Sequence, residues 1–342
     1  MDDDVLVEVI RGDRVESRHR GAVAVVDAQG AAVLAVGDVD APVFPRSAVK
    51  AIQALPLLET GAADRFGLTD AEIALACASH SGEPAHTETA AAMLRKAGRD
   101  GSSLECGIHW PTGADAAHAL AAAGGRPSAL HNNCSGKHAG FVCTACATGT
   151  DPAGYVGPGH PVMRRVTATL AEVTGTRLDA HPATDGCSIP AHALPLRDLA
   201  LGFARFGTGH GIGPARAEAA RRIRAAVAAH PFMVAGTGRF DTELMGALGS
   251  RAFVKTGAEG VHCGALPELG FGFAIKCDDG AGRAAQLVTA ALVRHLLQPT
   301  DDPAVGTLDR LSRPALHNWN GIRVGEVRPA GPVAAWRNGT AR

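Results

Sequence analysis

The distribution of strand-like segments constrains the fold of this chain more than any other feature of its sequence. Three segments near the N-terminus are rich in Val and Ala, with a turn at Asp27-Ala-Gln-Gly30, which predicts an antiparallel meander. Strand patterns return after residue 250, separated by Gly-rich turns. The predicted strands are 4–10, 21–27, 31–36, 251–256, 260–264, 269–277 and 321–327.

The long middle of the chain has the apolar spacing that is typical of helices. One helix is predicted from Ser47 to Glu59, opened near Pro45 and kinked by Pro56. The other predicted helices are 70–78, 84–97, 136–148, 160–174, 213–229 and 283–297. Strands at both ends of a helical middle indicate an α+β fold in which both ends join one antiparallel sheet.

Length and composition indicate a globular chain with a large core. The chain has 342 residues, of which 46% are hydrophobic and 20% charged, so it can bury extensive apolar surface. We expect one domain over residues 1–328. Residues 329–342 contain Pro, Gly and Arg and are expected to form a loose tail.

Charge and targeting signals narrow the class of partner. The formal net charge is -1, which argues against binding to nucleic acid. The acidic start Met1-Asp-Asp-Asp4 is unlike a secretory signal, and no apolar run approaches the ~18 residues of a membrane span. Without a signal, the eight cysteines are expected to be reduced thiols, which predicts a cytoplasmic protein.

The motif Ser47-Ala-Val-Lys50 suggests a nucleophile with a base nearby. The chain has 28 arginines but only five lysines, and lysine, unlike arginine, can act as a neutral amine. A serine three residues before a lysine shares one helix face with it, and a lysine whose pKa is lowered can take the serine proton. A serine that merely caps a helix is the alternative.

Two later segments strengthen this interpretation. Ser79-His80-Ser81-Gly82 follows an apolar run, and Lys255-Thr256-Gly257 ends a predicted strand. This order of motifs resembles the penicillin-recognising serine hydrolases, including class A lactamases. The middle motif of that family ends in Asn, which is absent here, and the predicted cytoplasmic location also argues for a soluble amide substrate instead of a cell-wall lactam.

A polar block from His131 to Gly140 opens a predicted helix. Cys134 and Lys137 lie on one helix face, and Cys187 follows a nearby carboxylate at Asp185. Two thiolates and a neutral amine could hold Zn²⁺ with one position open. Buried structural cysteines are the alternative.

These residues together resemble the L-asparaginase II family, the zinc-associated bacterial type. The matching segments are Phe44–Lys50, Ala76–Glu83, Cys106–Pro111, Asn132–Gly140 and Asp185–Pro190. The resemblance implies a serine β-lactamase/glutaminase-like fold and a homodimer. It also implies two Ser-Lys pairs, Ser47 with Lys50 and Ser79 with Lys255, and Cys134, Lys137 and Cys187 as zinc ligands.

The expected activity is therefore hydrolysis of L-asparagine to L-aspartate and ammonia, with Ser47 as the attacking serine. Arg46 could pair with the substrate α-carboxylate, Asp185 or Glu83 could bind its α-ammonium, and His138 could line the site. Two alternatives stay open. The chain could be a serine amidase acting on glutamine or a lactam, or an inactive zinc-binding or amino-acid-binding module.

Three remaining motifs have simpler interpretations. Cys143 and Cys146 have redox-motif spacing but lie inside a predicted helix, which favours two small core residues. Gly207–Gly213 lacks the Lys-Ser of a phosphate-binding loop and is expected to be flexible. Gly236–Asp241 is expected to be a loop over the site or only a turn.

Overall fold

The structure, a computed structural model, describes residues 3–298 and 304–336. The chain divides into two compact units. The sheet unit comprises the residues up to Ala48, Leu194–Thr208 and the residues from Arg251 on, and the helical unit comprises Val49–Ala193 and Gly209–Ser250.

Twelve strands occur in the described part of the chain. They are β1 (Asp4–Arg11), β2 (Arg14–Asp27), β3 (Ala32–Val36), β4 (Pro42–Val43), β5 (Ala183–Thr184), β6 (Pro190–Ala191), β7 (Leu194–Pro195), β8 (Phe253–Thr256), β9 (Val261–Leu266), β10 (Phe271–Cys277), β11 (Ala315–His317) and β12 (Arg323–Pro329).

Fifteen α-helices occur in the same residues. They are α1 (Lys50–Gln53), α2 (Leu55–Glu59), α3 (Ala62–Arg65), α4 (Asp70–Leu75), α5 (Pro84–Lys96), α6 (Ala114–Ala122), α7 (Ser135–Ala147), α8 (Pro161–Thr174), α9 (Leu196–Thr208), α10 (Pro214–Ala229), α11 (Pro231–Val234), α12 (Phe240–Leu248), α13 (Gly282–Leu297), α14 (Ala304–Ser312) and α15 (Gly331–Ala335).

The sheet unit is built on one eight-stranded sheet. Its order is β11-β12-β1-β2-β10-β9-β8, with β3 paired to β2. All these pairings are antiparallel, including β1 with β12 and β2 with β10. The predicted α+β class is confirmed, as is the prediction that strands from both ends of the chain share one sheet.

Glycine lets helix α9 approach the centre of this sheet very closely. A Cβ atom on Gly272 of β10 would lie 2.1 Å from the backbone nitrogen of Ala204 and 2.2 Å from the carbonyl oxygen of Ala200. Since β2 is buried continuously from residue 21 to residue 26, its Val- and Ala-rich sequence is that of a strand covered on both faces.

The helical unit packs apolar helix faces around a central helix, α7. Every residue of α7 from Ser135 to Ala145 is buried, and α4, α5, α2 and α8 all pack against it. Helix α4 begins with a capping box between Thr69 and Glu72, which pairs two backbone N–H groups at the helix start.

The predicted helix from Ser47 to Glu59 is wrong in detail. Residues Arg46–Val49 form a 3-10 turn, and α1 and α2 are separate short helices with Pro56 in the first turn of α2. Proline is tolerated there because the first helical N–H groups have no partner inside the helix. Ser47 therefore lies in the turn before the first α-helix.

Several elements were not predicted: the polar half of β2 over residues 14–20 and helices α6, α9, α12 and α14. The expectation of one domain over residues 1–328 stays a prediction. In the expected tail, residues 331–335 form α15, and residues 337–342 lie outside the described residues. No helix of residues 3–298 and 304–336 combines the length and the apolarity needed to cross a membrane.

Candidate active site

In the sheet unit, Ser47 is placed by the 3-10 turn Arg46–Val49. Arg46 has a φ of 50°, a left-handed conformation that is uncommon for residues with a side chain. A Cβ on Gly257 would lie 2.6 Å from the carbonyl oxygen of Pro45 and 3.3 Å from the Cβ of Ala48. The Lys255-Thr-Gly257 segment thus passes directly beside the turn that carries Ser47.

Lys255 is completely buried on β8. Its Nζ donates to the carbonyl oxygen of Thr256 at 2.8 Å. The boundary between the two units lies between Ala48 and Val49, so Lys255 and Ser47 belong to the sheet unit and Lys50 to the helical unit.

In the helical unit, Lys50 opens α1 and is almost completely buried, with 1% exposure. Its Nζ lies 2.6 Å from the carbonyl oxygen of Ala78, 2.9 Å from Oγ of Ser79 and 3.1 Å from Sγ of Cys134. One amine therefore contacts a hydroxyl and a thiol at once. The contact between Lys50 and Ser79 was not predicted from the sequence.

Two backbone hydrogen bonds hold the chain segment that carries Ser79. Its N–H donates to the carbonyl oxygen of Val234, and the N–H of Ser81 donates to that of Ala235. Because residues 79–81 pair with Val234–Ala235 in this way, the backbone is fixed where the half-buried hydroxyl of Ser79 contacts Lys50.

Cys134, Lys137 and Cys187 come together in one buried cluster. Cys134 precedes α7, Lys137 lies in its first turn, and Nζ of Lys137 is 3.1 Å from Sγ of Cys187. Gly136 permits this because a Cβ there would lie 2.3 Å from the carbonyl oxygen of Leu75. The chain thus brings together the three residues that the sequence suggested as metal ligands.

The pKa values of the Cys134 and Cys187 thiols are shifted in opposite directions. A hydrogen bond from Cys187, together with the charges of Lys50 and Lys137, holds the pKa of Cys134 well below its usual range. The same hydrogen bond and burial raise the pKa of Cys187. Burial by itself lowers the pKa of Lys137, but the neighbouring thiols raise it overall. These opposite pKa shifts mean that Cys134 loses its proton more readily than Cys187.

These donors fit a zinc ion under one condition. The described residues contain no group of three or more His, Cys, Asp and Glu side chains arranged to hold a metal, so a metal here needs Lys137 as a ligand. Two buried thiols and an amine suit Zn²⁺ once they have lost their protons. Zinc binding by Cys134, Lys137 and Cys187 therefore stays a proposal.

His80, which follows Ser79 in the chain, has no exposed surface. Its Nδ1 accepts from the N–H of Gly82 at 3.1 Å, so its Nε2 carries the proton and donates to Oγ of Ser135 at 2.9 Å. Burial first, then the nearby His86 and Lys50, hold the pKa of His80 well below its usual range. The ring is therefore neutral.

The predicted substrate-binding residues have different surroundings. His138 is fully buried, and its Nδ1 lies 2.7 Å from the hydroxyl of Tyr155. Asp185 is half-buried and accepts from the N–H of Gly186 at 2.7 Å. Glu83 accepts from both the backbone N–H and the hydroxyl of Thr237, at 2.8 and 2.7 Å. Both oxygens of Glu83 therefore accept hydrogen bonds from Thr237.

Sequence reasoning missed several supporting residues. Oδ1 of Asn132 accepts from the N–H of Cys134, and its Nδ2 donates to the carbonyl oxygen of Cys106. Nε2 of His109 accepts from the N–H of Asn133. In the sequence, the polar block from His131 to His138 indicated that this region is functional. It did not predict the supporting hydrogen bonds of Asn132 or His109.

Comparison with known proteins gives one informative match. The profile of a family described as L-asparaginase II matches residues 7–329. No curated protein matches the chain. Among solved structures, the native form of a protein named Mglu is 16% identical, with 84% of this chain and 67% of that chain covered and a TM-score of 0.38.

A second similar structure is a β-lactamase from Mycobacterium bovis. It is 12% identical, with 78% of this chain and 89% of that chain covered and a TM-score of 0.38. At this level the structural similarities carry no argument about function.

Proposed function

The chain belongs to the L-asparaginase II family, and on this premise we propose that it hydrolyses L-asparagine to L-aspartate and ammonia through a serine activated by lysine. Membership supports an amidohydrolase. The substrate and the Ser-Lys chemistry are the proposed part. The observation that carries them is the contact of Lys50 Nζ with Oγ of Ser79 at 2.9 Å, inside a buried site.

Ser47 is the proposed nucleophile and Lys50, three residues later in the chain, its base. The Oγ of Ser47 adds to the amide carbon while its proton passes to a neutral Lys50. Lys50 then returns that proton through the hydroxyl of Ser79 to the leaving nitrogen, and the C–N bond breaks to release ammonia. Water, activated by the same amine, hydrolyses the acyl-enzyme to aspartate.

The remaining roles rest on chemistry and family resemblance. Lys255 is proposed to act with Ser79, and Arg46 to pair with the substrate α-carboxylate. Asp185 is proposed to bind the α-ammonium, and His138 to line the site. Zn²⁺ held by Cys134, Lys137 and Cys187 would supply a Lewis acid beside the substrate.

The test is ammonia release from L-asparagine by the purified protein and by its Ser47→Ala, Ser79→Ala and Lys50→Ala variants. We expect the Ser47 and Lys50 variants to lose about 10³-fold or more in kcat. Mass spectrometry of quenched reactions should find the acyl group on Ser47. An acyl group on Ser79 would exchange the roles of the two serines.

Other substrates separate this proposal from its rivals. Turnover of L-glutamine or of a chromogenic lactam, but not of asparagine, would keep the serine amidase and change its substrate. Calorimetric binding of asparagine with no turnover of any amide would point to a binding module. Metal analysis before and after chelation would then show whether one zinc per chain is present.

Localisation and assembly belong to the same proposal. We propose a cytoplasmic protein and, from the family resemblance, a homodimer. Light scattering of the purified chain should give a mass near twice 34.9 kDa, whereas a mass near 34.9 kDa would contradict the dimer.

A further inference from the structure

We propose that His80 is a positioning residue that holds the Ser79 hydroxyl and the Cys134 thiol in place around the Lys50 amine. This inference rests on the proposed function. It concerns a buried side chain for which the proposed chemistry has no step and which does not contact the Lys50 amine in any hydrogen bond of the described residues.

The first step is the chain position of His80. It directly follows Ser79, whose Oγ lies 2.9 Å from Lys50 Nζ. Its ring donates from Nε2 to Oγ of Ser135 at 2.9 Å, and Ser135 directly follows Cys134, whose Sγ lies 3.1 Å from the same Nζ. These three hydrogen bonds, with the peptide bonds from Ser79 to His80 and from Cys134 to Ser135, form a closed circuit that starts and ends at Lys50.

A second hydrogen bond from His80 reaches the other side of Cys134. The backbone N–H of His80 donates to the carbonyl oxygen of Asn133 at 3.2 Å. Cys134 is thus flanked by two residues that are both bonded to His80. A shift of the imidazole would move the hydroxyl-bearing segment and the thiol-bearing segment relative to each other.

The ring itself is held in one orientation. It stacks on His86 with a centroid distance of 4.9 Å and an interplanar angle of 12°, and His86 stacks on Phe232 at 4.6 Å. The N–H of Gly82 occupies Nδ1 of His80, so only Nε2 can donate to Ser135. Packing and hydrogen bonding select a single rotamer and a single tautomer.

This arrangement predicts which part of the imidazole matters. Counting bonds from Cβ, an Asn amide reaches the level of Nδ1, whereas a Gln amide reaches the level of Nε2. His80→Asn can keep the acceptor for Gly82 but loses the donor to Ser135. His80→Gln can keep the donor to Ser135 but loses the acceptor for Gly82.

The experiment measures kcat and KM for L-asparagine in His80→Asn, His80→Gln, Ser135→Ala and the double variant His80→Asn/Ser135→Ala. Because misplacement of reacting groups lowers the rate of the chemical step, we expect His80→Asn and Ser135→Ala each to lose about 10–100-fold in kcat, with KM changed by less than about threefold. His80→Gln should recover most of the lost rate.

The double variant tests whether the two residues act through one bond. If they do, the double variant loses no more than either single variant. His86→Phe is the matched control, since it keeps an aromatic ring in the stack and lies outside the circuit. It should lower the melting temperature while leaving kcat unchanged.

Three results would overturn the inference while the proposed function stands: wild-type kcat in His80→Asn, equal losses in His80→Asn and His80→Gln, or losses that multiply in the double variant. An inactive wild type would instead overturn the proposed function, and the positioning role with it.

Discussion

The two units of this protein differ most in what they bury. Among the described residues, the helical unit buries fifteen polar or charged side chains and the sheet unit four, namely His19, Lys255, His262 and Thr289. Both units carry ion pairs at their surfaces, such as Arg328 with Glu8 in the sheet unit and Arg222 with Asp64 in the helical unit.

This difference supports our proposal that buried groups of the helical unit take part in the chemistry. Burying a charge is unfavourable unless it is paired, and in the helical unit the buried amines of Lys50 and Lys137 each contact a cysteine thiol. Buried, interacting ionisable groups are also those whose proton affinities are shifted most, which is why they mark functional sites. The sheet unit gains its stability from strand pairing and apolar packing, and its polar groups are mostly solvated.

The largest test of this comparison replaces one buried lysine in each unit with an apolar residue of similar length. Lys50→Met should lose about 10³-fold or more in kcat for asparagine, and Lys255→Met about 10²-fold, because general acid–base groups contribute in this range. Circular dichroism would check that both variants fold. A larger loss for Lys255→Met would move the centre of the chemistry to the sheet unit.

The next test compares two glycines at close backbone contacts. Gly272→Ala should lower the free energy of unfolding by about 1–3 kcal/mol with little change in kcat, since forcing a methyl group into a packed core strains the backbone. Gly136→Ala should cause a similar loss and also reduce kcat, because it displaces the start of α7 beside Cys134. Urea denaturation and steady-state kinetics measure both effects.

Gly246 provides the control for the glycine comparison. It lies inside α12 with no atom within 4 Å of an added Cβ, so Gly246→Ala should stabilise the protein by about 0.5–1 kcal/mol. If Gly272→Ala proved as harmless as Gly246→Ala, the tight contact of α9 with β10 would be disproved.

A smaller effect is expected at the contact between Thr237 and Glu83. Thr237→Val removes the hydroxyl donor to Glu83 but keeps the backbone N–H, and should lower the free energy of unfolding by about 1 kcal/mol. Thr237→Ser, which keeps the hydroxyl, should behave like the wild type. Equal stability of the Val and Ser variants would show that this hydrogen bond contributes nothing.

The smallest effect concerns acid stability of the sheet edge. Hydrogen bonds from Arg328 and from Arg313 hold the pKa values of Glu8 and Glu326 below their ordinary value of 4.5. The folded state therefore binds these protons more weakly than the unfolded state. The pairs contribute fully above pH 4.5, and the contribution is lost as the pH falls through the folded pKa.

The acid effect is measured by urea denaturation from pH 7 to pH 3. The double variant Glu8→Gln/Glu326→Gln should be about 0.5 kcal/mol less stable than the wild type at pH 7, as is usual for exposed ion pairs. The difference should shrink as the pH falls from 4.5 to 3. A difference that is unchanged at pH 3 would mean that packing, and not charge, is responsible.

How far local sequence predicts structure differs between elements. The apolar run in residues 4–10 predicted β1, and the adjacent residues Leu6 and Val7 are both buried, so this strand is covered on both faces. The segment Arg14–Arg20 is mostly polar and was missed, since its strand conformation depends on pairing with β1, for example Val9 with Ser17. Helix α9, which packs on β2 and β10, was not predicted either.

The order of amino acids was enough to predict the α+β class, the family and the groups proposed for the chemistry. These groups are two serines, two lysines and the set of Cys134, Lys137 and Cys187. Local spacing sufficed because repeats of two and of 3.6 residues report burial along a strand or a helix. The contacts of Lys50 with Ser79 and Cys134, and the contact of His80 with Ser135, follow only from how the chain folds. These contacts connect residues 29, 84 and 55 positions apart, and at such separations the packing of helices, and not sequence spacing, sets which side chains meet.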